Sequence, residues 1–333
     1  MYQLVRGPGR GVSQAVRATA VGILTAVAVT IATAVASGAP VEVPVVPGPS
    51  QSDHLAAAVY QRQHHQLVAP SGTNDFGCRP DAAHPRPVVL AHGTDSTAYS
   101  DWSAIGPSLV EAGFCVFAPN YGGAPGADTF GTGDLLASAA QFGDFVDRVL
   151  AETGAEQVDL VGFSQGATVT RYYVNKLGGA EKVGRWVGLA SPTYGGVMYG
   201  LAPIAQAVPG ALEAFALVTS LAAVQQAQGS PTMLAVNEGG DTVPGVEYTT
   251  IGSRVDEMIQ PFENIALRGQ GARNLVLQDL CPPNLTGHFH MVYDPYVRDL
   301  LLTVLDPGHA PEPVCVPVAL GTGIPEVVIA GNS

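Results

Sequence analysis

The chain has 333 residues, of which 47% are hydrophobic and 13% are charged, and its mean hydropathy is +0.22. This length can bury one sizeable core, so one large α/β domain fits it as well as two smaller domains. The formal net charge of −13 argues against nucleic acid and anionic lipid headgroups as partners and suits a neutral substrate.

Residues 1–36 have the pattern of a secretory signal peptide. Three arginines precede an uncharged run over residues 18–36, which ends in the small residues Ala34-Val35-Ala36. A retained membrane anchor is the alternative, because nineteen residues can just span a bilayer. We expect cleavage after Ala36, which moves the net charge from −13 to −16, and a secreted or extracellular protein that can also be associated with a cell wall.

Residues 37–69 are predicted to be an extended N-terminal segment. Residues 40–54 are rich in proline and glycine and show no apolar periodicity. The polar run over residues 61–66 contains His64 and His65, but no further ligands follow at a suitable spacing. A solvated helix face explains this run better than a metal site, and we predict no metal.

Four cysteines in an exported chain indicate two disulfides, for which three connectivities exist. Cys78 lies ten residues before a predicted strand over residues 88–91, and Cys115 opens the next strand. We therefore predict a Cys78–Cys115 bond. The remaining bond, Cys281–Cys315, would close a proline-rich tail, residues 306–333, onto the body. Free buried thiols are the alternative.

From Pro87 onward, short apolar runs alternate with segments of helical periodicity. The predicted strands are 88–91, 115–118, 158–163, 186–190, 246–252 and 274–280. The predicted helices are 102–111, 135–152, 167–177 and a last helix over 296–305. This alternation predicts one α/β domain over residues 70–333, with a mostly parallel sheet and helices on both faces.

Residues 191–230 interrupt this alternation with an apolar, alanine-rich stretch. Such a segment is too long for a simple loop, so we predict a small helical cap insertion. This segment follows the strand predicted next to the strand over residues 158–163, which makes Leu217, Val218 and Leu221 candidates to line a substrate pocket at that edge of the sheet. Plain core packing is the alternative.

The stretch Gly162-Phe163-Ser164-Gln165-Gly166 lies between a predicted strand and a predicted helix. This context is that of a nucleophile elbow, in which the two glycines let strand and helix approach around a strained serine. We therefore predict Ser164 as a catalytic nucleophile.

A nucleophilic serine needs a base and an orienting acid, which should follow strands of a parallel sheet rather than precede them. Asp256 follows a predicted strand and is favoured over Asp241, which precedes the same strand. His288 follows a glycine and is favoured over His290, which precedes an apolar run. The order Ser, Asp, His is typical of α/β hydrolases.

An oxyanion hole uses the amide after the nucleophile, here that of Gln165, and a donor on a loop after an earlier strand. Thr94, in His92-Gly93-Thr94, follows the strand 88–91 and can offer its amide, with its hydroxyl as a further donor. His92 is interpreted as structural.

These motifs together resemble the class 2 family of secreted α/β hydrolase lipases and esterases, with actinobacterial members nearest and the fungal lipase B group more distant. The resemblance covers about residues 70–305. It implies Ser164 as nucleophile, Asp256 as acid, His288 as base, and Thr94 with Gln165 as oxyanion donors. The matching stretches are His92-Gly93-Thr94, Gly162–Gly166, Tyr248–Ile251 leading to Asp256–Pro261, and Gly271–Asn274 leading to Gly287-His288.

The sequence thus predicts a secreted carboxylic ester hydrolase, in the first place a triacylglycerol lipase, that needs no cofactor. Its expected partners are a lipid or other neutral ester and a lipid interface to which it adsorbs, with no nucleic acid, and we expect a monomer. The alternatives are a cutinase-like or polyester hydrolase, a short-chain esterase, an acyltransferase and an inactive cell-wall binding protein.

Overall fold

Six parallel strands form the central sheet. The computed structural model describes residues 40–64, 67–196 and 220–331, all within one compact unit. The central sheet has the spatial order β4-β3-β5-β6-β7-β8, and β1 and β2 pair separately, also in parallel. The strands are β1 Val46–Gly48, β2 Val68–Pro70, β3 Val88–Ala91, β4 Val116–Phe117, β5 Val158–Phe163, β6 Val183–Leu189, β7 Glu247–Gly252 and β8 Arg273–Val276.

Helices connect the strands and cover the sheet. The described helices are α1 His54–Gln63, α2 Ala98–Trp102, α3 Ile105–Glu111, α4 Leu135–Thr153, α5 Gln165–Lys176, α6 Leu221–Gln225, α7 Pro231–Asn237, α8 Leu277–Leu280, α9 Pro295–Leu305 and α10 Ile324–Gly331. Three 3-10 turns occupy Gly179–Lys182, Phe262–Asn264 and His288–His290. None of the helices in the described ranges is both long and apolar enough to span a bilayer.

The longest described helix, α4, shows why these elements form where they do. The Asp134 carboxylate accepts a hydrogen bond from the Ala137 amide at the N-terminus, and Gly154 ends the helix with φ of 75°. Between these signals, apolar residues recur at helical spacing and are buried. Local capping and one buried face are therefore enough to define this element.

The strands alternate their side chains between two cores, one on each face of the sheet. On one face, Val161 and Phe163 of β5 pack with Trp102 of α2 and Leu301 of α9. On the other face, residues of β5 such as Leu160 pack against α4 and α5. This three-layer arrangement confirms the predicted α/β hydrolase fold.

The strand register brings the loops of the site to one edge. Ala91 of β3 pairs with Gly162 of β5, and Leu189 of β6 pairs with Ile251 of β7. The segments that follow these strands therefore emerge side by side at the carboxyl edge of the sheet.

The chain ends carry more structure than the sequence indicates. Within residues 37–69, predicted as extended, β1 pairs with β2 and α1 begins at an Asp53 cap. The Tyr99 hydroxyl donates to the Pro49 carbonyl, which holds the proline-rich stretch on the body. In the tail, α10 follows the helix that we expected to be last. Both segments are stabilised by distant partners rather than by local periodicity.

Two predicted elements differ from the structure in more than small shifts of their ends. The helix predicted over residues 102–111 begins only at Ile105, as α3, and Trp102 is instead the last residue of a separate short helix, α2, that the sequence did not indicate. The strand predicted over residues 274–280 ends at Val276 and continues as the short helix α8. An apolar run of this length does not distinguish a strand from a buried helical turn.

All four cysteines are paired. The structure links Cys78 to Cys115 and Cys281 to Cys315, the two bonds that the sequence analysis expects. The first bond joins the segment before β3 to the start of β4. The second joins the residue after α8 to the C-terminal tail.

Candidate active site

Ser164 stands at a strained turn between β5 and α5. Its backbone has φ of 51° and ψ of −120°, a left-handed conformation that is costly for a residue other than glycine. A Cβ at Gly162 would collide with the Ala167 backbone, and one at Gly166 would collide with the Ala91 carbonyl. These positions therefore need glycine, and the turn lifts the serine hydroxyl to the edge of the sheet.

Ser164, His288 and Asp256 form a continuous hydrogen-bonded chain. The Ser164 Oγ lies 3.0 Å from His288 Nε2, and His288 Nδ1 lies 2.9 Å from Asp256 Oδ2. The other oxygen of Asp256 accepts hydrogen bonds from the amides of Met258 and Ile259 at 2.8 and 2.7 Å. All three side chains are buried, so the carboxylate is held in one orientation and fixes that of the imidazole.

The charges around His288 favour its protonated form. Burial by itself lowers the pKa of His288, but contact with the Asp256 carboxylate and the nearby charges of Glu257 and Asp101 raise it. The net pKa of His288 lies above its ordinary value of 6.5. An imidazole in this setting can accept a proton near neutral pH and is stabilised once it is charged.

Glu257 supports His288 from the backbone side, and the sequence analysis missed it. Its Oε2 accepts a hydrogen bond from the His288 amide at 2.5 Å. A Cβ at Gly287 would collide with this carboxylate, so the glycine before the histidine allows the contact. Burial raises the pKa of Glu257, although the His288 amide opposes that shift. The pairing of Gly287 with an acid next to Asp256 is the sequence signal that could have indicated it.

A fully buried glutamine joins the two predicted oxyanion residues. The Thr94 hydroxyl donates to Gln165 Oε1 at 2.7 Å, and Gln226 Nε2 donates to the same Thr94 oxygen at 2.9 Å and to Gln165 Oε1 at 3.3 Å. Gln226 follows α6, within the predicted cap segment. The Thr94 hydroxyl is thus engaged with Gln165, which leaves the backbone amides of Thr94 and Gln165 as the candidate oxyanion donors.

Asp101 fixes the loop that carries Thr94. Its Oδ2 accepts from the Gly93 amide at 2.6 Å, and its Oδ1 accepts from the Ser96 hydroxyl at 2.7 Å. Burial raises the pKa of Asp101 to about 6. No local sequence pattern marks Asp101 or Gln226, because both act through partners that come together only in the folded chain.

The rival candidates have other contacts. The Asp241 carboxylate accepts from the Tyr194 hydroxyl at 2.7 Å and from the Arg268 amide at 2.6 Å. His290 is half-buried, and burial lowers its pKa. His92 is fully buried with its Nδ1 2.8 Å from the Gly93 carbonyl and its ring stacked on Tyr121, which is a structural set of contacts.

A cavity of about 870 Å³ opens on the serine and the histidine. Ala223 and Gln226 line it, whereas Leu221 at the start of α6 is 48% exposed and is not among its lining residues. Leu217 and Val218, like the predicted signal peptide, lie outside the described residues. A second cavity of about 690 Å³, lined by residues such as Thr242 and Glu247, lies away from Ser164. The first cavity is the candidate substrate site because it contains Ser164, the predicted nucleophile.

In the three described ranges, no group of three or more His, Cys, Asp or Glu side chains is arranged to hold a metal ion.

The parallel sheet, the strained serine between β5 and α5 and the hydrogen-bonded histidine together define an α/β hydrolase. The chain belongs to the class 2 lipase family, whose model matches residues 85–295. Membership confirms the resemblance inferred from its motifs.

The solved structures that are similar to the chain include two lipases. Lipase B from Aspergillus fumigatus is 20% identical with a TM-score of 0.59, and the match covers 79% of this chain and 63% of the fungal chain. The chain thus spans just under two thirds of that enzyme's length. The mature form of Bacillus licheniformis lipase BlEst2 is 16% identical with a TM-score of 0.52, covering 71% of this chain and 96% of the other. At these identities the likeness shows the fold alone.

Proposed function

We propose that the protein is a secreted lipase that hydrolyses carboxylic esters, triacylglycerols among them, through Ser164, His288 and Asp256. One observation carries the proposal: the Ser164 Oγ is 3.0 Å from His288 Nε2 at the base of a cavity large enough for an ester with a hydrocarbon chain. Family membership supports the ester as the substrate class.

The first half-reaction acylates the serine. His288 Nε2 takes the proton from Ser164 as Oγ attacks the ester carbonyl carbon, and Asp256 stabilises the imidazolium that results. The tetrahedral intermediate collapses when the leaving alcohol takes that proton, which breaks the ester bond and leaves the acyl group on Ser164. In the second half-reaction, the same imidazole activates a water molecule that releases the carboxylic acid.

The negative charge of each tetrahedral intermediate needs stabilising donors. Gln165 is the first residue of α5, so its amide lies at the positive end of the helix dipole, and Thr94 brings a second amide on the loop held by Asp101. Gln226 orients the side chains of both residues. Two fixed amides are sufficient for an oxyanion hole without a metal ion.

Secretion is supported by the N-terminal sequence pattern and by the two disulfides, which persist in oxidising compartments. The N-terminal sequence of protein recovered from culture medium tests this part. Cleavage as predicted gives a chain that begins at Ser37, whereas a chain retained in the membrane fraction with residues 1–36 intact contradicts it.

The test of the activity compares wild type with Ser164→Ala on p-nitrophenyl acetate, p-nitrophenyl octanoate and an emulsified triacylglycerol. We expect wild type to hydrolyse all three with a higher kcat/KM for the octanoate than for the acetate, and the variant to lose nearly all activity while remaining folded. Ser71→Ala is the matched control, because Ser71 is exposed and does not line the cavity. If wild type cleaves the acetate best and leaves the emulsion untouched, the enzyme is a short-chain esterase and not a lipase.

The acyl-pocket candidates Leu217 and Val218 remain part of this proposal, whereas Leu221 is exposed and does not line the cavity that contains Ser164. Leu217→Trp should shift preference toward shorter acyl chains without abolishing acetate cleavage, and Leu221→Trp should leave the profile unchanged. An unchanged chain-length profile in Leu217→Trp removes this residue from the pocket.

A further inference from the structure

The outer wall of the substrate cavity comes from the two ends of the described chain. Ala58 and Arg62 of α1 line the cavity, and so do Val327 and Ala330 of α10. Both helices lie outside residues 85–295, the part that matches the family model. The cleft around Ser164 is therefore completed by segments to which neither the motifs nor the family match assigns a role.

Helix α1 is fixed in place by contacts at both of its ends. The Asp53 carboxylate accepts from the Ala56 amide at 2.8 Å and caps its N-terminus. Near its C-terminus, Gln61 is buried and accepts from the Thr97 hydroxyl at 2.7 Å. Since Thr97 is also the N-cap of α2, this bond connects α1 to the segment that carries Asp101.

Helix α10 is tied to the loop of the proposed base. The Cys281–Cys315 disulfide anchors the tail, and the Leu285 amide donates to the Val318 carbonyl at 3.0 Å. Gly323, with φ of 93°, lies so close to the Phe289 and His290 backbone that a Cβ there would come within 2.9 Å of it. The tail thus arrives at the cavity in a defined position.

The two helices also pack on each other. Arg62 Nη1 donates to the Ala330 carbonyl at 3.4 Å, which joins the end of α1 to the end of α10. The side chains that this pair of helices offers to the cavity include the small apolar ones of Ala58, Val327 and Ala330. Contact between such a surface and a hydrocarbon chain is favourable, and these small side chains leave space for that hydrocarbon chain.

We propose that α1 and α10 form a terminal-helix wall that binds the hydrocarbon chain of the ester, with Ala58 and Ala330 setting the chain length that fits. The proposal rests on the proposed function, because it concerns the substrate of the same serine. The hydrocarbon chain that this wall contacts can belong to the acyl group or to the leaving alcohol, since both are aliphatic in a triacylglycerol.

The test places a bulky side chain on each helix. Ala58→Trp and Ala330→Trp fill the wall, whereas Val59→Trp and Ile329→Trp add the same bulk at exposed neighbouring positions that do not line the cavity. Each variant is assayed on p-nitrophenyl esters from acetate to laurate and on acetate esters of alcohols from ethanol to dodecanol. Melting temperatures and acetate turnover report whether the variants are folded.

Each buried CH₂ contributes about 0.8 kcal/mol, or roughly fourfold in kcat/KM, so displacing two methylenes should cost roughly fifteenfold. We expect this loss for the longer esters in the two wall variants, with p-nitrophenyl acetate hydrolysis and both controls near wild type. Loss confined to the acyl series assigns the wall to the acyl chain, and loss confined to the alcohol series assigns it to the alcohol.

The proposal is overturned if both wall variants keep the wild-type dependence of kcat/KM on chain length in the acyl and the alcohol series. It is also overturned if the wall variants and the control variants lose kcat/KM for the longer esters equally. In these cases wild type still shows Ser164-dependent hydrolysis of p-nitrophenyl octanoate and of the emulsion, so the proposed function stands. Absence of Ser164-dependent hydrolysis in wild type, by contrast, means that the proposed function itself has failed.

Discussion

Glu257 acts on His288 through charge as well as through its hydrogen bond, and the two effects can be separated. Glu257→Gln keeps an oxygen that can accept from the His288 amide but removes a negative charge that raises the pKa of His288. His288 must be neutral to take the serine proton, so kcat/KM rises with pH through its pKa. We expect the acidic limb of the wild-type pH–kcat/KM curve to have its midpoint above pH 6.5, and the midpoint in Glu257→Gln to lie at lower pH.

The pH dependence of kcat/KM, measured between pH 5 and 9, checks this prediction. Glu263→Gln is the matched control, because Glu263 is an exposed acid of the same segment. An acidic limb that stays in place or moves to higher pH in Glu257→Gln would show that the carboxylate does not act through the charge state of His288.

Gln226 is a positioning residue that affects the reaction through Thr94 and Gln165. Gln226→Leu removes its hydrogen bonds to both residues, and a net hydrogen bond is worth about 1 kcal/mol. We expect kcat to fall roughly tenfold with little change in KM, because the oxyanion forms after substrate binding. Thr94→Val should act in the same direction.

Gln225→Leu provides the control for this prediction. Gln225 precedes Gln226 but bonds instead to the Leu135 amide and to the Asp134 carboxylate. Gln225→Leu should therefore lower the stability of the protein without lowering kcat in the way expected for Gln226→Leu. A rise in KM at constant kcat in Gln226→Leu, or equal effects of the two leucine variants, would argue against the positioning role.

At the scale of elements, the two disulfides attach different parts of the chain, and their removal should have different consequences. Replacing both cysteines of either bond by serine should cost about 2 to 4 kcal/mol of stability. The Cys281–Cys315 bond anchors the tail that ends in α10, so its removal should also reduce kcat/KM for longer esters relative to acetate. The Cys78–Cys115 bond attaches neither α1 nor α10, so its removal should leave that profile unchanged.

Thermal melting and the ester series measure the two effects. If kcat/KM for longer esters relative to acetate changes equally in both double variants, this ratio follows overall stability and not the position of the tail.

Elements with strong local signals could be predicted from the sequence. Helix α4 has a capping aspartate, a buried stripe and a terminal glycine, and it lies within one residue of its predicted end. The elbow at Ser164 combines an apolar strand with two obligatory glycines. Helix α10 has no such signals, because it is held by a disulfide and by contacts with α1. Periodicity alone could not have identified it.

For the molecule as a whole, the parallel sheet explains why residues far apart in the sequence meet. Loops that follow parallel strands gather at one edge, which allowed Asp256 to be preferred over Asp241 from strand order alone. The same rule says nothing about side chains that approach from outside the sheet. Gln226 comes from the cap segment and Asp101 from α2, so their contacts with the oxyanion loop required the folded structure.

The central claim is that Ser164 is a nucleophile activated by His288. The most direct measurement treats the folded protein with a fluorophosphonate probe and identifies the modified peptide by mass spectrometry. We predict stoichiometric labelling of Ser164, nearly complete loss of labelling in His288→Ala, and labelling at the wild-type rate in His309→Ala, whose exposed histidine bonds to Asp306. Labelling of a different serine, or labelling of Ser164 that does not depend on His288, would contradict the account.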